Sequence, residues 1–333
     1  ALQLALGLVA LVWVYAIARR LFGEVAPRAP MVAAALYAFY GPAVFFETKA
    51  LSASLSLFFM VGALWFAVGA ATARARGEIG TGFFAAVATL LTPQLVLFAP
   101  ILAALHIVKR RFARATILAC AFALPLVPFA IRNGMAGAGW SPLSTQFGAA
   151  LFHGNHIDAR GDFNPPKGFP ASVERMRADE RRVAEEALGR PLSVREVSSF
   201  FVRRAMHTLL ENPLHAVRLV GLKVYRLFMG FEPRLNYDFH EERRDVPLLW
   251  AFPVPFSLLA VFGVIGLALA LRARVAGAPL VITAIVVVGT LLAVYVASRY
   301  RLPLVPVVAI WAAFGIERVF SERRFRTLLA GVF

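Results

Sequence analysis

The 333-residue sequence predicts an all-α polytopic membrane protein, with about nine membrane segments and a mainly helical insertion on the outer face. Three observations carry this prediction. Hydrophobic residues make up 59% of the chain and its mean hydropathy is +0.70, more apolar surface than a soluble core of this size needs. Long apolar runs recur along the chain, most of them close to the roughly 20 residues that cross a hydrocarbon core at 1.5 Å per residue. The basic excess sits between those runs: residues 132–246 hold 17 Lys/Arg against 14 Asp/Glu, and the remainder holds 18 against 5. A net charge of +16 distributed in this way follows the positive-inside rule and removes the case for a nucleic-acid partner.

The runs fall at 1–18, 31–46, 50–71, 80–108, 115–131, 247–271, 278–297 and 302–316. Basic groups separate them: Arg19, Arg20 and Arg28; Arg74 and Arg76; Lys109, Arg110, Arg111 and Arg114; Arg272 and Arg274; Arg318, Arg323, Arg324 and Arg326. Placing every group in the cytoplasm requires an even number of crossings between neighbouring groups. Only 80–108 resists, and there Pro93 in "LLTPQLV" breaks the run into two short helices or a re-entrant hairpin, which gives nine segments. The organisation is then a membrane bundle over 1–131, a periplasmic loop and helical domain over 132–246, and membrane helices with a basic tail over 247–333. The lone Cys120 lies in an apolar run and offers neither a disulfide nor a metal site. The chain opens within an apolar stretch without Met and is expected to be a piece of something longer.

The outer segment begins with a Gly-, Pro- and Asn-rich loop, "RNGMAGAGWSPLSTQFGAALFHGNHIDARGDFNPPKGFP", and continues as helices. Ser172 is placed to cap the first, Ser193 and Glu196 are spaced as a capping box for the second, and Asn212 with Pro213 opens the third. On that third helix Leu214, Val217, Val220, Val224 and Phe228 form an apolar stripe punctuated by Arg218, Lys223 and Arg226. The stripe suits lipid headgroups and packing on neighbouring helices equally.

The same topology puts Glu47, Lys49, Arg132, Arg299 and Arg301 beside outer membrane edges. Glu47 reads either as an acid that orients an acceptor or a divalent metal, or as the ion-pair partner of Lys49. Arg299 and Arg301, in "SRYRLPLVP", defy the charge rule obeyed elsewhere, and either snorkel to headgroups or hold a phosphate. Two residues apart, only one of them is expected to reach a phosphate. In "FHGNHIDARGD" the residues His153, Asn155, His156, Asp158 and Asp162 could supply metal ligands, but their spacing matches no standard pattern, and Gly154 with Asn155 reads as a turn. Arg160 and Asp162 read as loop scaffolding.

Taken in order, "ARRLFGEVAPRAPMVAAALYAFYGPAVFFETKALS", "ATLLTPQLVLFAP", "PFAIRNGMAGAGWSPLSTQFGAALFHGNHIDARGDFNPP", "ENPLHAVRLVGLKVYRLFMGFEPRLNYDF" and "SRYRLPLVPVVAIWAAFG" resemble the later two-thirds of a GT-C-type membrane glycosyltransferase. The group in question is the bacterial one similar to protein O-mannosyltransferases and lipid A aminoarabinose transferases, family 39-type. The resemblance implies inverting transfer of a sugar from a polyprenyl-phosphate donor to a glycan, lipid or protein acceptor at the outer face of the bacterial inner membrane. It implies a catalytic base in a first outer loop upstream of this chain, with Glu47 as a second acid. It also implies cations for the lipid phosphate, for which Lys49, Arg132, Arg299 and Arg301 are the candidates, a sugar and acceptor cavity with Asn155 or His156 near the sugar and Glu232, Tyr237 and Tyr300 as further lining, and no obligate cofactor, a divalent metal being possible. Thr92 stands where many such proteins carry an Arg before the hairpin Pro, so a phosphate contact there must come from elsewhere. A transporter is the rival class, as is a non-catalytic membrane scaffold. Against ion-coupled transport, no Asp, Glu, Lys or Arg falls inside any apolar run.

Overall fold

A computed structural model describes residues 2–137, 139–166, 169, 173–235 and 237–321, leaving out the side chains of 70–74, 173 and 174. The described residues are all-helical, with no strand beyond two isolated bridges. In chain order the helices are α1 Leu2–Phe22, α2 Ala29–Ala38, α3 Gly41–Glu47, α4 Ser52–Leu91, α5 Phe98–Val108, α6 Phe112–Met135, α7 Phe147–His153 and α8 Val173–Leu188. They continue as α9 Val194–Glu211, α10 Pro213–Phe228, α11 Phe239–Asp245, α12 Phe256–Arg272, α13 Ala278–Ala293, α14 Ser298–Arg301 and α15 Val305–Ser321. Four stretches are long and apolar enough to cross a membrane, Leu2–Phe22, Ser52–Gly69, Phe112–Met135 and Ser298–Ser321, and four shorter apolar helices accompany them.

The apolar runs break where local chemistry demands it. Run 31–46 is two helices, because Gly41 and Pro42 start α3 afresh after α2 ends. Run 80–108 breaks at Thr92, whose extended backbone precedes Pro93, so the expected interruption is present. α4 is helical throughout yet folds back on itself. Ser56 Oγ donates to Ala88 O, Phe66 stacks near Phe84, and a Cβ at Gly62 or Gly80 would collide with Phe84 or Phe66. Its two arms therefore run antiparallel, and the pairings 52 with 91, 56 with 88 and 66 with 80 centre the reversal between the apolar runs 50–71 and 80–108. The Ser172 cap, the Arg74 side chain and the tail arginines Arg323, Arg324 and Arg326 lie outside the described residues.

The chain divides into two compact units, Ala1–Ala123 with Phe239–Val287 and Leu302–Phe333, and Leu124–Asp238 with Val288–Arg301. Nothing in the composition signals that 288–301 joins the second unit.

In the first unit α15 is the central element, buried from Val305 through Gly315, as expected of a helix apolar on every side. α12 approaches it through small residues: a Cβ at Gly266 would stand 1.7 Å from Trp311 O, and one at Gly315 would stand 2.8 Å from Phe262 O. Buried Glu78 on α4 ties α5 and α6 to its arm, 3.3 Å from His106 Nε2 and 3.9 Å from Arg114. The second unit has its own core of Ala149, Leu151, Phe152, Ala184, Leu192, Phe201 and Ala205. Its α9 opens with the expected capping box, Ser193 Oγ accepting from Glu196 N while Glu196 accepts from Ser193 N. Asn212 departs from expectation: it stands at the start of α10, but its side chain turns back and donates to Thr208 O of α9.

Candidate functional site

The sequence-selected residues of the second unit converge on one turn, 294–301. Val296 N donates to Gly161 O and Ser298 N to Pro233 O, so the turn is stitched to two loops. Gly154 lies so close to Val294 O that a Cβ there would approach to 1.8 Å, which explains the glycine in "HGNH". Two buried cations then clamp the turn to α10.

The first is Arg301, 0% exposed, whose Nη2 stands 2.5 Å from Glu232 Oε2 and whose Nη1 donates to Leu227 O at 3.1 Å and Met229 O at 3.3 Å. These carbonyls are at the C-terminal end of α10, where a cation is favoured by the helix dipole. The second is Lys223, on α10 itself. Its Nζ donates to Asn155 Oδ1 at 2.8 Å, Leu292 O at 3.0 Å and Ala293 O at 3.4 Å, capping the carbonyl end of α13. Burial lowers its pKa to about 8. Asn155 completes the joint by donating to Leu151 O and Ala293 O.

These contacts revise the sequence expectations. Arg301, Glu232 and Asn155 were candidates for phosphate or sugar contact at a membrane edge. All three lie inside the unit, Arg301 engaged with Glu232 and the end of α10, Asn155 with Lys223, Leu151 O and Ala293 O. His156 is likewise enclosed: Nε2 donates to Asn164 O at 2.7 Å while Nδ1 accepts from Asp158 N at 3.2 Å, an arrangement only the neutral ring can make. Desolvation accordingly lowers its pKa. Arg299 and Tyr300 differ, being half-buried, with the guanidinium over the Tyr300 ring and donating to its hydroxyl. The two arginines of "SRYR" therefore part company, and Arg299 is the one within reach of solvent. Arg132 is exposed near the end of α6, Tyr237 is exposed, and Asp162 pairs with Arg226 at 3.4 Å.

Lys223 and its partners went unrecognised as a cluster in the sequence because Lys223 read as a punctuation of the apolar stripe. The stripe is in fact the open face of α10, Leu214 being 83% exposed and Val217 71%, while the buried row is Leu219, Lys223 and Leu227. A lysine at i+4 between two leucines was the available signal.

In the first unit, Glu47 ends α3 half-buried. Its carboxylate lies against Gly7 of α1, where an added Cβ would overlap it. Of the two readings of Glu47, the ion pair with Lys49 does not form. Lys49 is drawn to Glu242 Oε1 of α11 and lies over the Phe45 ring. Among the described residues Glu47 forms no ion pair, and desolvation raises its pKa to about 7. Within its electrostatic reach is Tyr37, whose buried hydroxyl has no hydrogen-bond partner among the described residues. A half-buried carboxylate with a raised pKa is a stronger proton acceptor than an ordinary one, suited to take the proton of a bound hydroxyl as that oxygen forms a new bond. No group of three or more His, Cys, Asp or Glu side chains suited to a metal ion occurs among the described residues. Comparison with protein-family models, with curated proteins and with solved structures finds no match to this chain.

Proposed function

We propose that the chain is a membrane glycosyltransferase that moves a sugar, with inversion, from a polyprenyl-phosphate donor to an acceptor hydroxyl on a glycan, lipid or protein at the outer face of the bacterial inner membrane. The observation that carries this reading is Glu47, a carboxylate beside an apolar span that is held near pH 7 by burial. In the proposed step the acceptor oxygen attacks the anomeric carbon. Its proton passes to Glu47, which in this reading takes the part that the family resemblance gives to an acid in an upstream outer loop; the bond from that carbon to the phosphate oxygen breaks, and the electron pair leaves with the polyprenyl phosphate.

A cation that can meet a departing phosphate supports the same reading. Lys49, in the same unit as Glu47, already holds a carboxylate, and a phosphate oxygen would present similar chemistry to its ammonium group. The open apolar face of α10 is the surface a lipid bilayer would cover.

The test uses the full-length protein in proteoliposomes with polyprenyl-phosphate pentose and hexose donors. Transfer is expected, falling at least tenfold in Glu47→Gln, with expression kept and the melting temperature not lowered. Solute flux without sugar transfer would replace this reading with transport.

A further inference from the structure

A cavity of about 620 Å³ lies within the second unit, between loop 139–145 and α9. Its position follows from local chemistry. Gly137 and Gly139, both at positive φ, turn the chain after α6, and Asn133 Nδ2 donates to Ser141 O at 2.8 Å to fix the returning loop. Ser141 and Ser144 then accept from Leu143 N and Gln146 N, and Ser198 Oγ of α9 accepts from Gly148 N. The cavity wall carries Trp140, Ser144 and Thr145 from the loop, and Arg195, Ser199 and Arg203 from one face of α9.

Three features specify its ligand. Arg195 and Arg203 are exposed, and neither forms an ion pair among the described residues. The neighbouring Glu196 is held by Arg190 and Ser193, and no carboxylate is among the lining residues. The cavity is therefore electropositive and suited to an anion. The two guanidiniums are separated by eight residues, two turns of helix, so their backbones stand about 12 Å apart along the axis. Side chains extended from backbones so spaced suit an elongated ligand with two charged groups better than one small anion. Finally, Trp140 packs one side of its indole over Gly134 yet remains 74% exposed, leaving an apolar aromatic surface beside hydroxyls.

We propose that this cavity binds an anionic saccharide of at least two sugar units. One ring lies on Trp140, the Ser144, Thr145 and Ser199 hydroxyls meet sugar hydroxyls, and acidic groups on separate rings pair with Arg195 and Arg203. The volume falls in the ordinary range for small-molecule sites. The assignment goes beyond the transfer reaction and does not require it, because binding is measured directly.

The experiment titrates detergent-solubilised full chain with a chondroitin sulfate disaccharide, which bears a carboxylate and a sulfate on different rings, with lactose and inorganic phosphate in parallel. Calorimetry and tryptophan fluorescence are the readouts. The disaccharide is expected to bind at least tenfold more tightly than lactose or phosphate and to change the fluorescence. Arg195→Ser with Arg203→Ser should weaken it at least tenfold without moving the melting temperature, and Trp140→Phe should remove the fluorescence change. Equal affinity in the double variant would overturn the site, as would phosphate binding as tightly as the disaccharide. Loss of binding to phosphatidylglycerol vesicles in the double variant, with disaccharide binding intact, would reassign the cavity to lipid headgroups.

Discussion

Arg301 and Lys223 in the second unit lie wholly within the protein and spend their hydrogen bonds on helix carbonyls and on Glu232 and Asn155. Glu47 in the first unit is half-buried and finds no cation among the described residues, although Lys49 is two residues away. Both arrangements take charge out of water. The paired charges of the second unit hold backbone segments in place, whereas the unpaired one of the first is left able to change its protonation. The difference teaches how to separate architecture from chemistry in a chain rich in edge charges: what matters is the partner each charge has found, more than its position along the sequence.

The comparison is sharpest at Arg301. Arg301→Met strands the Glu232 carboxylate inside the unit, and the expected loss is about 3–5 kcal/mol, the usual consequence of leaving one member of a buried pair alone. Glu232→Leu should cost a similar amount, while the double substitution should cost less than either single one. Thermal unfolding in detergent across this cycle checks the claim, and additive losses would break it.

Lys223→Met comes next, with an expected loss of about 1–3 kcal/mol, as three acceptors lose a charged donor and gain relief from its desolvation. Its pH dependence has a definite sign. A lysine whose pKa falls from 10.5 to about 8 on folding destabilises the fold while it is charged in both states. That contribution is therefore recovered as pH rises from about 8 to 10.5, and lost as pH falls through 8. Relative to Lys223→Met, the native protein should gain stability across that alkaline window.

Glu47 shows the opposite behaviour. Its pKa rises from 4.5 to about 7 on folding, so its contribution is fully present below 4.5 and is lost as pH climbs through 7. Glu47→Gln should therefore be more stable than the native protein above pH 7, by about 1–2 kcal/mol after discounting for its partial exposure. A glutamine variant that melts lower at pH 8 would mean that the carboxylate has a structural partner.

The helices were legible in the sequence because apolar length, Pro93 and the Ser193–Glu196 capping box act locally. The antiparallel reversal of α4 was legible too, since the Arg74–Arg76 cluster separates its two apolar arms. What sequence could not resolve was which face of α10 is buried. An apolar stripe is the expected inner face only when water covers the other side, and here it is the row containing Lys223 that turns inward. The same limit applies to "SRYR": alternation says that Arg299 and Arg301 diverge, but only packing against Glu232 decides which one is interior. Glu47 was visible as a lone acid beside a span, whereas its freedom from Lys49 depended on Glu242, 193 residues away.

The pH–rate profile of sugar transfer by the full-length protein, native against Glu47→Gln, tests the central claim most directly. With polyprenyl-phosphate donor saturating, the native rate should rise with pH through a midpoint near 7, because the proton acceptor must be ionised, and the glutamine variant should lose that rise along with at least 90% of turnover. An undiminished rate with the same midpoint in the variant would contradict the assignment of Glu47 to the chemistry.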